Sequence, residues 1–61
     1  MYPELGSKLF INKLEYTITN INVISGIIKI ENREDVKFMP FEELKKQAYF
    51  VKKKINGDDK N

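Results

Sequence analysis

Cysteine, histidine and tryptophan are absent from this chain, and each absence removes a class of chemistry. No disulfide can staple the fold, and no zinc site of the usual nitrogen or sulfur type can form. The thiolate nucleophile and the commonest general base are missing as well, so Ser7 and Ser25 have no imidazole to activate them. Glycine occurs only three times, at isolated positions, which leaves no glycine-rich phosphate loop. No apolar run nears the roughly 20 residues that a membrane-crossing helix requires. The opening MYPELGSK lacks the basic-then-apolar layout of a secretory signal. A cytoplasmic protein with no membrane partner is expected, in its own cell or in an infected host cell. Lysine, isoleucine and asparagine are abundant beside a single arginine, a usage associated with AT-rich coding sequences such as those of low-GC bacteria and their phages.

The chain has 61 residues, which allows one small domain. A domain of this size buries only about 60% of the surface its unfolded chain exposes. With disulfides and zinc excluded, the remaining supports are one compact core or a homo-oligomer, of which a homodimer is favoured. Apolar residues make up 41% and charged ones 33%, a globular rather than a disordered composition. The net charge of +2 is too weak to imply nucleic acid by itself. Its distribution is uneven, however: residues 1–40 hold five basic and five acidic side chains, whereas residues 45–54 hold five lysines and no acid.

Carboxylate pairs occur at Glu34 and Asp35, Glu42 and Glu43, and Asp58 and Asp59. They fall in a turn, a helix start and a tail, where acids are ordinarily solvated surface. A chain this short also has little volume for a substrate pocket of ~300 Å³ or more. Neither an enzyme, nor a cofactor, nor a metal is expected.

Residues 1–7 read as a short lead-in punctuated by Pro3 and Gly6, with Tyr2 and Leu5 as a lid on the core. A first strand over residues 8–11 places Leu9 and Ile11 on one face and Phe10 on the other. Asn12 and Lys13 suit a two-residue hairpin turn, because Asn tolerates the left-handed backbone such turns need. The longest β-type run covers residues 14–24. Leu14, Tyr16 and Ile18 alternate with Glu15, Thr17 and Thr19, and then the apolar parity shifts to Ile21 and Val23. Such a shift turns the strand inside out unless a bulge absorbs it, and Asn20 is the expected place.

Ser25 and Gly26 make the next turn, and residues 27–32 follow with Ile28 and Ile30 inward. The polar turn at residues 32–35 leads to a fourth strand in which Val36 and Phe38 face the core and Lys37 faces out. Met39 and Pro40 end it. From Pro40 the period changes to helical, over residues 40–55. Phe41, Leu44, Ala48, Val51 and Ile55 form one stripe, Glu42 and Glu43 lie at the favourable end of the dipole, and Asn56 and Gly57 supply a stop. The predicted fold class is mostly β with one helix (α+β): a small antiparallel meander or barrel of about four strands plus a C-terminal helix. It forms one domain over residues 1–57 with a disordered tail at 58–61.

KLFINKLEYTITNI, the short turn SG, then IIKIEN and DVKFMPFEEL together resemble the small Tudor/KOW-type barrel modules of bacterial and phage proteins. The first turn departs from that pattern by lacking glycine, and the helix is longer than usual. The resemblance implies a binding module for protein or nucleic acid, and it transfers no functional residue.

The helical reading leaves one surface without a structural task. Phe50 falls opposite the apolar stripe, among Lys46, Lys53 and Lys54. An aromatic ringed by lysines suits a protein interface, a second protomer, or base stacking with phosphate contact. Tyr49 borders the stripe, with a buried ring and a wet hydroxyl. Arg33, in the turn beside Glu34 and Asp35, is a further candidate contact, with a local ion pair as its other reading.

The leading expectation is a non-catalytic binding module, a small regulator or inhibitor of a host or viral protein of the kind phages and mobile elements encode. The alternatives are nucleic-acid binding through the lysine-rich helix and an oligomeric sponge for a nucleotide or similar small ligand.

Overall fold

The computed structural model describes residues 2–51. Four strands follow one another as an antiparallel meander: β1 (Lys8–Ile11), β2 (Leu14–Asn22), β3 (Ile27–Glu31) and β4 (Val36–Pro40). A helix of seven residues, α1 (Phe41–Gln47), then leads to a fifth strand, β5 (Tyr49–Phe50), which pairs antiparallel with β1. The sheet order is β4-β3-β2-β1-β5. The class is therefore α+β, and the sheet is not closed: among the described residues β4 and β5 form opposite edges.

The first hairpin forms as its sequence predicts. Ile11 stands opposite Leu14, and both residues of the turn between them take positive φ, Asn12 at 51° and Lys13 at 71°. Two left-handed residues in succession match the right-handed twist of the flanking strands. Lysine gains nothing from that conformation, whereas glycine adopts it freely. Lys13→Gly should stabilise the protein by about 0.5–1 kcal/mol. Thermal denaturation would show this as a rise of about 2–8 °C in Tm for a domain of this size.

The parity shift in β2 is absorbed by a bulge. Ile18 pairs with Ile30, Asn20 with Lys29 and Ile21 with Ile28, so Thr19 is the extra residue, one position before the one expected. Ile18 and Ile21 thus both point inward despite their spacing. β2 ends at Asn22, two residues short of the predicted run. The Asn22 side chain accepts bonds from the N–H groups of Ile24 and Ser25, both at 3.1 Å, and its carbonyl accepts from Gly26 N–H at 2.8 Å. Val23 and Ile24 consequently lie exposed in the loop.

Leu9, Ile11, Tyr16, Ile18, Ile28, Ile30 and Leu44 form the core. Leu14 shares their parity but lies exposed at the hairpin end. β4 reverses the expected orientation: Lys37 and Met39 stand opposite the buried Ile30 and Ile28, while Val36 and Phe38 lie on the outer face and are exposed. Both parities of this strand carry apolar residues, so alternation alone could not choose between them. Lys37 is accommodated because its stem covers apolar surface while its amine reaches Asp35 Oδ2 at 3.5 Å. On the outer face Lys29 lies over the Phe38 ring, 5.8 Å from its centroid.

Glu31 joins two strands on that outer face. The Thr19 hydroxyl donates to Glu31 Oε2 at 2.6 Å, and Lys29 Nζ lies 3.6 Å from the same oxygen. The Thr19 bond holds the Glu31 carboxyl below its ordinary pKa, with burial opposing and Lys29 adding to the lowering. A depressed folded-state pKa contributes stability above the unfolded value and loses it as pH falls through the folded one. In an NMR titration, Thr19→Val should move the Glu31 midpoint upward. An unchanged midpoint would assign the lowering to Lys29 instead.

The helix is shorter than its sequence period suggests. Pro40 caps its start in extended conformation, Glu42 and Glu43 occupy the first turn, and Leu44 is its one fully buried residue. The chain leaves the helix at Ala48, whose N–H still donates to Leu44 O at 2.9 Å but whose backbone is already extended. Of the predicted stripe, Phe41, Leu44 and Ala48 pack on or in the core, whereas Val51 is partly exposed. Ile55, the stop at Asn56 and Gly57 and the tail at 58–61 lie outside the described residues.

Candidate interaction surface

The early end of α1 changes what Tyr49 and Phe50 present. A strand alternates its side chains between faces, whereas a helix would have set these two about 100° apart. Phe50 stands opposite Leu9, on the core side, and packs against the buried cluster. Tyr49 stands opposite Phe10 on the outer face and is 71% exposed. The expected roles are therefore exchanged: Phe50 serves the core and Tyr49 meets solvent. Lys46 remains exposed in the last turn of α1. Lys53 and Lys54, expected beside Phe50, lie outside the described residues.

Arg33 lies well away from this region, in the turn between β3 and β4. The local ion pair expected for it goes to another residue, since Asp35 pairs with Lys37 and Arg33 is in none of the ion pairs among the described residues. Asp35 also accepts a bond from the Tyr16 hydroxyl at 3.3 Å. That bond gives the polar tip of a buried ring its partner, a structural task. Among the described residues no three acidic side chains gather as a metal site would require.

The structure adds the N-terminal segment to the neighbourhood of β5. Gly6 N–H donates to Ile18 O at 2.8 Å, Ile18 N–H to Ser7 O at 2.9 Å, and Ser7 N–H to Glu4 O at 3.1 Å. Gly6, at φ +86°, takes the left-handed turn that sends the preceding residues back over the sheet. Tyr2 then reaches Phe41, their ring centroids 4.9 Å apart and tilted at 47°. Lys45 Nζ lies 5.1 Å from the Phe41 centroid and 3.4 Å from Glu42 Oε1.

A shallow apolar hollow of about 490 Å³ results, lined by Tyr2, Pro3, Phe41, Lys45, Ala48, Tyr49 and Phe50. Four of the seven aromatic residues in the chain line it. A second hollow of about 410 Å³ adjoins it, lined by residues 3–8 with Phe50 and Val51. Leu5, Tyr49 and Val51 are exposed apolar side chains on these walls. Aromatic residues with lysine at the border are the composition that protein interfaces favour.

A third cleft, of about 530 Å³, lies near the Asn12 turn between Leu14, Phe38 and Gln47 and contains the Tyr16–Asp35–Lys37 cluster. It holds none of the exposed aromatic cluster around β5.

Tyr2, Pro3 and Phe41 were not among the residues singled out by sequence. The signal for Phe41 pointed to the core, which it also serves, and only the return of the lead-in over α1 makes it part of a surface. No protein-family model, curated protein or solved structure matches the chain. No helix among the described residues is long and apolar enough to cross a membrane.

Proposed function

We propose that the protein is a non-catalytic binding module that engages a protein partner through the aromatic surface around β5, acting as a small regulator or inhibitor. One observation carries this reading: Tyr49 is exposed while its neighbours Phe41, Phe50 and Tyr2 are held in fixed positions against the core. An anchored aromatic patch loses little conformational freedom on binding, and that favours affinity. The lack of His and Cys supports a role without catalysis. A small-barrel reading of the fold belongs with this proposal. It is supported by the bulge that bends β2 and by α1, which joins the two outer strands of the sheet.

The test is capture of a partner from cells of the native host by the tagged protein and by its Tyr49→Ala variant. Loss of the captured protein in the variant, with the fold intact, is the expected result. Equal capture by both would overturn the assignment of this surface.

A further inference from the structure

The outer edge of β5 adds a second kind of recognition to the aromatic surface. Val51 N–H donates to Lys8 O at 3.1 Å. These two residues are opposite one another in the register that sets Leu9 against Phe50 and Phe10 against Tyr49. Opposed residues in an antiparallel pair alternate between those that exchange main-chain bonds and those that do not. Tyr49 and Val51 therefore direct their main-chain groups at β1, and Phe50 directs its N–H and C=O away from the sheet. β5 ends the strand order, and among the described residues outside the strand ladders Phe50 has no main-chain partner. Pro3 and Phe50 line both hollows, so the two join into one trough that follows this edge.

We infer that the trough takes an extended acidic segment of a partner protein, added beside β5 as a further strand. The inference rests on reading the surface as a protein-binding one. An added strand is bound through main-chain hydrogen bonds, with alternate side chains entering pockets. The trough's apolar walls suit apolar residues at one parity, and the lysines around it suit acids at the other. β5 falls within residues 45–54, which hold five lysines and no acid, and Lys45 and Lys8 line the two hollows. The same charge opposes a second copy, because pairing two β5 edges would bring two lysine-rich stretches together.

The test uses a labelled short peptide alternating valine with glutamate and reads fluorescence anisotropy and the Phe50 amide resonance. Three companions complete the set: valine alternating with lysine, and two glutamate peptides N-methylated along one edge or the other. The glutamate peptide and one methylated form should bind and shift the Phe50 amide. The lysine peptide and the other methylated form should bind about tenfold more weakly or worse, because the first loses the charge match and the second loses its main-chain donors.

Equal binding by both methylated forms would overturn strand addition while leaving the protein-binding surface in place. So would the absence of any peptide binding, if lysate capture still depended on Tyr49. A Phe50 amide already protected from exchange in the free protein, whether by a second copy or by residues 52–61, would also overturn it. Equal binding of the lysine peptide would remove the acidic partner.

Discussion

Leu44→Ala should leave this protein largely unfolded at 25 °C. Leu44 is fully buried and is the only residue of α1 in the core. Its side chain holds the helix against the isoleucines of β2 and β3 in the same cluster. Truncating a buried leucine to alanine costs about 2–5 kcal/mol, depending on how far the surroundings collapse. A single small core seldom supplies more than about 3–5 kcal/mol in total. With no disulfide to limit the unfolded state, the loss is comparable to the whole stability. Urea denaturation monitored by circular dichroism is the measurement. A midpoint shift corresponding to less than about 1 kcal/mol would mean that α1 is not held through Leu44.

Tyr49→Ala and Phe50→Ala should have opposite consequences, although the residues are adjacent. Tyr49 is exposed, and its removal should change stability by no more than about 1 kcal/mol, the scale of a cross-strand pair with Phe10. Partner affinity should fall by about 2 kcal/mol or more, roughly 30-fold, as expected when an aromatic anchor is truncated. Phe50 is half-buried against the core. Its truncation should cost about 2 kcal/mol of stability, somewhat less than a fully buried phenylalanine would. Titration calorimetry with the captured partner and thermal melts of both variants separate the two effects. The reverse pattern, with Phe50→Ala stable and binding-deficient, would restore a continuous helix through this region.

The pair also shows where the sequence misleads. Phe41, Leu44, Ala48, Val51 and Ile55 keep a helical spacing, and the acids and lysines at either end agree with it. Tyr-Phe-Val is nonetheless a β-type run of aromatic and β-branched residues. β1 offers it an edge to pair with, and that tertiary partner is invisible to a periodicity measured along one segment. The β4 reversal has a similar origin, since Val36 with Phe38 and Lys37 with Met39 are both plausible inward sets. Local signals fared better where backbone geometry itself was at stake. Asn12 and Lys13 turn where expected, the bulge absorbs the parity change, and Pro40 opens the helix beside its acids. The candidate surface was legible only as a suspicion about Tyr49, Phe50 and nearby lysines. Its actual form depends on a turn at Gly6 that brings Tyr2 to Phe41.

The pairing of β5 with β1 is unlike the other three in this sheet. Each of those joins neighbours along the chain, so its loop closes cheaply and early. Leu9 and Phe50 meet only after the entire meander and α1 have been placed between them, and a longer loop costs more entropy to close. That strand holds on through a two-residue ladder, extended by the Val51 bond. It is the part of the sheet assembled last and released first. The aromatic patch thus exists only in the finished fold, and an occupant that clamps β5 would act as a latch, slowing the unzipping of the whole domain.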